Sequence, residues 1–147
     1  WAKQGILTVL PGLDNDLTKV ADWFYQLYKD YDIRTVVCGY DQRFAREFKD
    51  RMEEYGIECE MVLQNAETLN NAMRLCEQEL KARHVNYNEN ELDRWCLGNA
   101  SMKIDNFGRV LCIKINNQAT RRIDGAVTLI ILYEIYRRYR GQLTQNN

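Results

Sequence analysis

The sequence predicts an α/β fold from three observations. Short apolar runs alternate with longer segments whose apolar residues recur at helical spacing, as in a sheet covered on both faces by helices. One run, Ile33–Tyr40, is β-branched and largely apolar, which is typical of a central buried strand. Turn signals, led by Pro11-Gly12, separate the segments. At 147 residues and without an internal repeat, the chain is expected to form one domain.

The first half of the chain is predicted to contain three strands and two helices. The strands are Gly5–Leu10, Ile33–Tyr40 and Ile57–Leu63. The first helix follows Asp14 or Asn15, because either side chain can cap it. The second helix covers Arg43–Tyr55, with Phe44 on its apolar stripe and Gly56 ending it.

The second half is predicted to be mainly helical, with one β-hairpin. Its elements are a helix over Asn65–Arg83, a polar loop over Asn86–Asn90, a helix over Glu91–Asn99, a hairpin over Met102–Ile115 that turns at Asp105–Gly108, and a last helix from Ile123. This last helix turns basic at Arg137–Arg140 and contains the longest apolar run of the chain, Ala126–Tyr133.

Composition narrows the possible functions. The formal net charge of -1 gives no electrostatic reason for strong nucleic-acid binding, although bound divalent cations would supply positive charge at a phosphate site. No apolar run approaches the roughly 20 residues that cross a bilayer, so no membrane partner is expected. The five cysteines are scattered, odd in number and never in a Cys-x-x-Cys pair, which predicts reduced, buried thiols in a cytosolic compartment.

Common catalytic motifs are missing from the sequence. It contains no phosphate-binding P-loop, no Gly-x-Ser-x-Gly elbow and no Gly-x-Gly-x-x-Gly turn. The only histidine, His84, cannot build a histidine-rich metal site, and its position indicates a helix end. Carboxylates that bind a metal ion are therefore the chemistry that this composition best supports.

Two aspartates are the candidate ligands for a hard cation such as Mg²⁺, which prefers oxygen donors. Asp41 follows the Ile33–Tyr40 strand, at the strand end where open α/β sheets bind ligands. Asp124 begins the last helix, and the adjacent Gly125 indicates that a ligand or packed backbone comes close there. Each has a structural alternative, because Asp41 can cap the next helix and Asp124 can complement a helix dipole.

Several motifs, in this order, resemble the C-terminal nuclease domain of terminase large subunits, the DNA-packaging motors of tailed bacteriophages and prophages. The motifs are Gly39-Tyr40-Asp41, Asn86-Tyr87-Asn88 through Trp95-Cys96-Leu97-Gly98-Asn99, and Arg122-Ile123-Asp124-Gly125-Ala126, preceded by Gly5-Ile6-Leu7-Thr8 with Pro11-Gly12. The resemblance covers nearly the whole chain. Each motif is weak alone, whereas their order and spacing together are fairly specific.

The resemblance implies an RNase H-like fold, a central mixed sheet flanked by helices, in which separate elements supply acids that hold two Mg²⁺ or Mn²⁺ ions. Such a site cuts concatemeric double-stranded DNA by two-metal phosphodiester hydrolysis. Carried over, Asp41 and Asp124 are the catalytic, metal-binding acids. Lys114 matches a lysine near the last helix that could touch a phosphate, and its structural alternative, a solvated lysine on the hairpin, is favoured over that role. Arg121 and Arg122 are the nearest candidates for contacts to the DNA backbone.

The resemblance also implies partner proteins and a nuclease domain that is truncated at its N-terminus. Trp95 and Asn99 match the family pattern as packing and hydrogen-bonding residues. The family's first catalytic acid stands on a strand upstream of Gly5, so residues 1–147 are expected to be one N-terminally truncated nuclease domain that lacks its first strands and cleaves DNA poorly. The full-length protein would add an ATPase domain, and would act with a terminase small subunit and a portal in the bacterial cytoplasm.

Two alternatives remain open at this point. The chain could be a non-catalytic α/β interaction module that docks on a portal or partner subunit and uses both aspartates as helix caps. It could also be another RNase H-like nuclease, of the junction resolvase or integrase type.

Overall fold

The structure is a computed structural model that describes residues 1–12, 16–43 and 45–143. The chain divides into two compact units. The small unit is Val9–Leu63, and the large unit is Trp1–Thr8 together with the chain from Gln64 onward.

The small unit contains two helices and a pair of parallel strands. These are α1 (Thr18–Tyr31), β1 (Val37–Tyr40), α2 (Arg46–Glu54) and β2 (Glu58–Met61). The strands pair in register from Val37 opposite Glu58 to Tyr40 opposite Met61. Ala21, Phe48 and Met52 form the buried core between α1 and α2, because both helices turn their apolar stripes inward.

Local signals explain where these helices begin and end. The carboxylate of Asp16 accepts hydrogen bonds from the backbone N–H and the hydroxyl of Thr18, the first residue of α1. Gly56 has a φ of 72° and follows Tyr55, the C-cap residue of α2, as predicted for the glycine that ends this helix. The predicted caps Asp14 and Asn15 and the stripe residue Phe44 lie outside the described residues.

The large unit contains three helices and an antiparallel hairpin. Its elements are α3 (Ala66–Lys81), α4 (Glu91–Gly98), β3 (Ala100–Ile104), β4 (Val110–Lys114) and α5 (Asp124–Leu143), with 3₁₀ turns at Ala2–Gln4 and Ile115–Asn117. Helix α5 packs against α3 and α4, and α3 also packs against β4. The predicted helices, the hairpin and its turn are all confirmed within a few residues.

The predicted strand Gly5–Leu10 is wrong. Gly5 has a φ of 73° at the end of the first 3₁₀ turn, and the N–H of the next residue, Ile6, donates to the carbonyl of Trp1. This reversal prevents an extended start, and none of the described strands pairs with the segment. Val9 is 69% exposed, which a buried strand residue would not be.

The Ile33–Tyr40 strand is also shorter and less buried than predicted. Its ladder begins at Val37, its residues are half-buried, and Ile33 is exposed. In the described part of the chain, β1 pairs with β2 and β3 with β4, so hydrogen bonds form two two-stranded sheets. A strand is buried on both faces only where other elements pack on each face of its sheet. A sheet of two strands offers little surface for such packing, so the residues of β1 stay half-buried.

Two predictions from composition can also be compared with the structure. All five cysteines are free thiols. Cys76 and Cys96 are buried as predicted, whereas Cys38, Cys59 and Cys112 are half-buried, so the predicted burial is wrong for these three. Among the described residues, no helix has the length and apolar character that a membrane span needs.

Candidate functional site

Asp41 lies in the small unit, directly after the end of β1. Its Oδ1 accepts a long hydrogen bond of 3.4 Å from the backbone N–H of Arg43. Helix α2 begins later, at Arg46, and its N-cap position is occupied by Ala45, which has no side-chain acceptor. The alternative in which Asp41 caps α2 is therefore wrong, and its half-buried carboxylate stands at the strand end as predicted.

Asp124 is the first residue of α5, in the large unit. Its side chain is exposed, and the carbonyl of the preceding Ile123 accepts the first helical hydrogen bond, from Val127. The partial positive charge of a helix N-terminus favours a carboxylate at this position. Buried residues of α5, among them Ala126 and Ile130, fix the helix beneath it.

Gly125 shows what comes close at the start of α5. A Cβ placed there would lie 3.1 Å from Oδ1 of Asp93, 3.2 Å from Cβ of Cys96 and 3.3 Å from Sγ of Cys96. Helix α4 therefore packs directly on the backbone of α5 at this point. The glycine predicted from sequence to permit a close approach serves helix packing, and it brings the carboxylate of Asp93 next to the residue after Asp124.

The segment that leads into α5 is tied to α4 through Asn99. Asn99 is 1% exposed; its Nδ2 donates to the carbonyl of Arg122 (3.0 Å), and its Oδ1 accepts from Nη1 of Arg121 (3.0 Å). Arg121 also donates from Nε to Oε1 of Gln118 (3.1 Å). An arginine has five N–H donors, so these contacts leave donors of Arg121 that can reach a phosphate.

Lys114 and Arg122 occupy the same region. Lys114 ends β4, and its Nζ donates to the carbonyl of Ala119 at 3.3 Å, across the loop that precedes α5. Arg122 is exposed. The large unit thus brings Lys114, Arg121, Arg122 and Asp124 to one junction of loop and helix, while Asp41 belongs to the small unit.

Cys76 and His84, two side chains of types that can act as a nucleophile or a base, lie on α3 and just after it, away from the loop before α5 in the sequence. Burial raises the pKa of the Cys76 thiol to about 11, so it stays protonated at neutral pH and is a poor nucleophile. His84 follows the end of α3, as predicted, and its Nδ1 lies 2.9 Å from Oε2 of Glu79.

The donor chemistry of each aspartate suits a hard divalent cation. Asp41 and Asp124 offer carboxylate oxygens, the class of ligand that Mg²⁺ and Mn²⁺ take. In residues 1–12, 16–43 and 45–143, no three acidic, histidine or cysteine side chains group closely enough to enclose a metal ion. Mg²⁺ usually keeps several waters and takes one or two carboxylates from the protein.

Two residues of this region were not identified as site residues from sequence. Asp93 lies 31 positions before Asp124 and carries no local signal, since an acid in the first turn of a helix is ordinary. Asn99 matched the family pattern, but its partners are 22 and 23 positions away. Only the folded chain shows that both lie against the start of α5.

Comparison with known proteins gives consistent results. A family model described as terminase large subunit, endonuclease domain, matches residues 1–138. The crystal structure of the HK97 bacteriophage large terminase is similar, with a TM-score of 0.77 and 20% identity, over 92% of this chain and 28% of that chain. The chain thus spans about a quarter of the length of that terminase. No curated protein sequence matches it. The predicted α/β, RNase H-like fold class is confirmed.

Proposed function

This chain belongs to the family of terminase large-subunit endonuclease domains, and we propose that it cuts concatemeric double-stranded DNA during phage DNA packaging. The observation that carries the proposal is the family match over residues 1–138. It favours the packaging nuclease over an interaction module and over a resolvase or integrase.

We further propose that the nuclease depends on Mg²⁺ or Mn²⁺ in a two-metal site, with Asp41 and Asp124 as catalytic, metal-binding carboxylates. Divalent ions supply Lewis acidity at a phosphate and lower the pKa of a bound water. The carboxylates do not attack the substrate; they hold positive charge where a phosphodiester is bound. Asp124 suits this role because it is exposed and stands on a helix whose other face is buried.

Cationic side chains before α5 are proposed to bind the DNA backbone. Arg122 is exposed, Lys114 extends across the same loop, and Arg121 retains donors beyond its two contacts. Contacts of this kind fix the register of DNA without reading its sequence. With a chain net charge of -1, the local cations and the metal ions must supply the attraction for phosphate.

The larger context is also a proposal. We propose that residues 1–147 act as one nuclease domain of a longer terminase, alongside an ATPase domain, a terminase small subunit and a portal. Its place of action would be the cytoplasm of the bacterial host.

Calorimetric titration of Mn²⁺ into the purified chain tests the metal ligands. Wild type is expected to release or absorb heat on binding, and Asp124→Asn and Asp41→Asn are each expected to weaken binding by about tenfold or more. Glu67→Gln is the matched control, because Glu67 is an exposed acid in the first turn of another helix, α3. Equal heats for wild type and Asp124→Asn would remove Asp124 from the metal site.

A plasmid assay tests the reaction itself. Any Mn²⁺-dependent nicking of supercoiled DNA by the wild-type chain is expected to disappear in Asp41→Asn and Asp124→Asn and to persist in Glu67→Gln. Nicking that survives both aspartate substitutions would contradict the assignment.

A further inference from the structure

Asn99 is a buried polar residue whose every hydrogen-bonding group is used. It follows α4 directly, where its backbone N–H bonds to the carbonyls of Trp95 and Cys96. Its own carbonyl accepts from the N–H of Ile115, immediately after β4 (2.8 Å). A side chain that is 1% exposed would be costly here if its amide were unpaired.

Both halves of the Asn99 amide bond to consecutive residues of one segment. Nδ2 donates to the carbonyl of Arg122, and Oδ1 accepts from the guanidinium of Arg121, each at 3.0 Å. Arg122 is two residues before Asp124. One side chain thus joins the end of α4 to the backbone that delivers Asp124 to the start of α5.

The rest of this segment has few other anchors. Residues 116–120 are exposed, and Asn116 and Asn117 both have positive φ values, of 53° and 54°. Two side-chain contacts, of Lys114 with Ala119 and of Arg121 with Gln118, and two backbone hydrogen bonds, from Gln118 to Ile115 and from Arg121 to Gln118, also hold the loop. The Asn99 amide is the buried contact of the segment, so it is the one least weakened by competition with water.

We propose that Asn99 is a positioning residue for Asp124: its amide holds the backbone carbonyl of Arg122 and the guanidinium of Arg121, so that the Asp124 carboxylate is presented to a metal ion in one orientation. The inference rests on the proposed function, because it takes Asp124 as a metal ligand. Substitution of a residue that fixes the orientation of a metal-binding side chain, without touching the metal itself, commonly changes metal affinity by about 10- to 100-fold.

Asn99→Asp separates the two halves of the contact. The new carboxylate still accepts from Arg121, whereas it cannot donate to the carbonyl of Arg122 and repels it instead. Asn70→Asp is the matched control in the same unit, because Asn70 bonds to Val110 and Arg74 rather than to the segment before Asp124.

The first measurement is Mn²⁺ affinity by calorimetry, in the full chain and under conditions where each variant is folded. Asn99→Asp is expected to raise the Kd for Mn²⁺ by about tenfold, while Asn70→Asp leaves it within about twofold. A purely structural role would lower the melting temperature without this change in Kd. An unchanged Kd in Asn99→Asp, where Asp124→Asn abolishes binding, overturns the inference and leaves the proposed function intact.

The second measurement needs no metal. Hydrogen exchange of the Val127 amide, which bonds to Ile123 in the first turn of α5, is expected to quicken by about tenfold in Asn99→Asp and to stay unchanged in Asn70→Asp. Unchanged exchange overturns the positioning role. If Asp124→Asn binds Mn²⁺ as wild type does, the ligand assignment fails, and faster exchange would still show that Asn99 fixes this turn.

Discussion

At Gly125, a hydrogen atom occupies the place where any other residue would carry a carbon. The neighbouring atoms of Asp93 and Cys96 lie 3.1 to 3.3 Å from that place, closer than ordinary van der Waals contact. Cys96 is 4% exposed and cannot move aside easily. The residue therefore has two opposing effects, because glycine weakens the helix itself but permits the contact between α4 and α5.

Gly125→Ala tests which effect is larger. Alanine favours a helix over glycine by about 1 kcal/mol, whereas overpacking a tight contact costs about 1–3 kcal/mol. We expect a net loss of about 1 kcal/mol in the free energy of unfolding, measured by urea denaturation. In the control Gly98→Ala, a Cβ meets no atom within 4 Å, so stability should stay equal or rise. A Gly125→Ala chain more stable than wild type would contradict the packing argument.

Asp22 provides a prediction about pH in the small unit. Hydrogen bonds from the Tyr55 hydroxyl (2.6 Å) and from Nε of Arg51 (3.0 Å) hold the pKa of its carboxyl below the ordinary 3.8. A folded-state pKa that is lowered stabilises the fold above the unfolded value, and this stabilisation is lost as pH falls through the folded pKa.

Tyr55→Phe should therefore lower the melting temperature at pH 7, and its difference from wild type should shrink as pH falls below 3.8. The phenyl ring keeps the stack with Tyr25, whose ring centroid lies 4.3 Å away. Tyr25→Phe, which alters the other ring of the stack, is the control. A difference that is constant from pH 7 to pH 3 would show that the hydrogen bond to Asp22 does not matter.

At the scale of elements, two helices of the large unit begin on asparagine caps. The side chain of Asn65 accepts from the N–H of Thr68 at the start of α3, and that of Asn90 accepts from Leu92 and Asp93 at the start of α4. Each cap satisfies backbone donors that the helix leaves unpaired. The cap of α4 also matters for the site, because α4 carries both Cys96 and the residue before Asn99.

Asn90→Ala is expected to reduce the free energy of unfolding by about 1 kcal/mol, because the first amides of α4 lose their acceptor. Asn90→Asp keeps the acceptor and should stay within a few tenths of a kcal/mol of wild type. Chemical denaturation followed by circular dichroism measures both. Equal stability of the alanine and aspartate variants would show that the cap does not contribute.

Helices and the hairpin were predictable from the sequence because the spacing of apolar residues and the turn residues determine them locally. Apolar residues at helical spacing identified α1, α2 and α3, and the Asp105–Gly108 turn identified the hairpin. The run Gly5–Leu10 has the composition of a strand but not its structure, because a strand also needs a neighbour to pair with, and composition does not report that. The same reason explains why the Ile33–Tyr40 ladder is short.

At the scale of the whole molecule, the candidate acids were predictable and their surroundings were not. Asp41 and Asp124 carry local signals, a strand end and a helix start. The contacts that define the region before α5 join residues more than 20 positions apart, such as Asn99 with Arg122. Such contacts depend on packing of side chains that no short motif encodes.

Each of the two compact units contains buried apolar residues of its own, which predicts separate responses to core truncation. Met52 is 0% exposed in the small unit, and Ile130 is 6% exposed in the large unit. Truncating either side chain to alanine removes buried contacts worth about 2–5 kcal/mol. One domain can contain units that open at different free energies, and amide hydrogen exchange resolves them.

Met52→Ala is expected to speed amide exchange in α1, α2, β1 and β2 while α3 and α5 keep most of their protection. Ile130→Ala is the matched variant and should give the reverse pattern, because its side chain belongs to the core of the large unit. Mass spectrometry of exchanged peptides at neutral pH distinguishes the two patterns. If both substitutions speed exchange equally throughout the chain, the two cores unfold as a single cooperative unit. A core substitution in either unit would then destabilise the segments that hold Asp41 and Asp124 to the same extent.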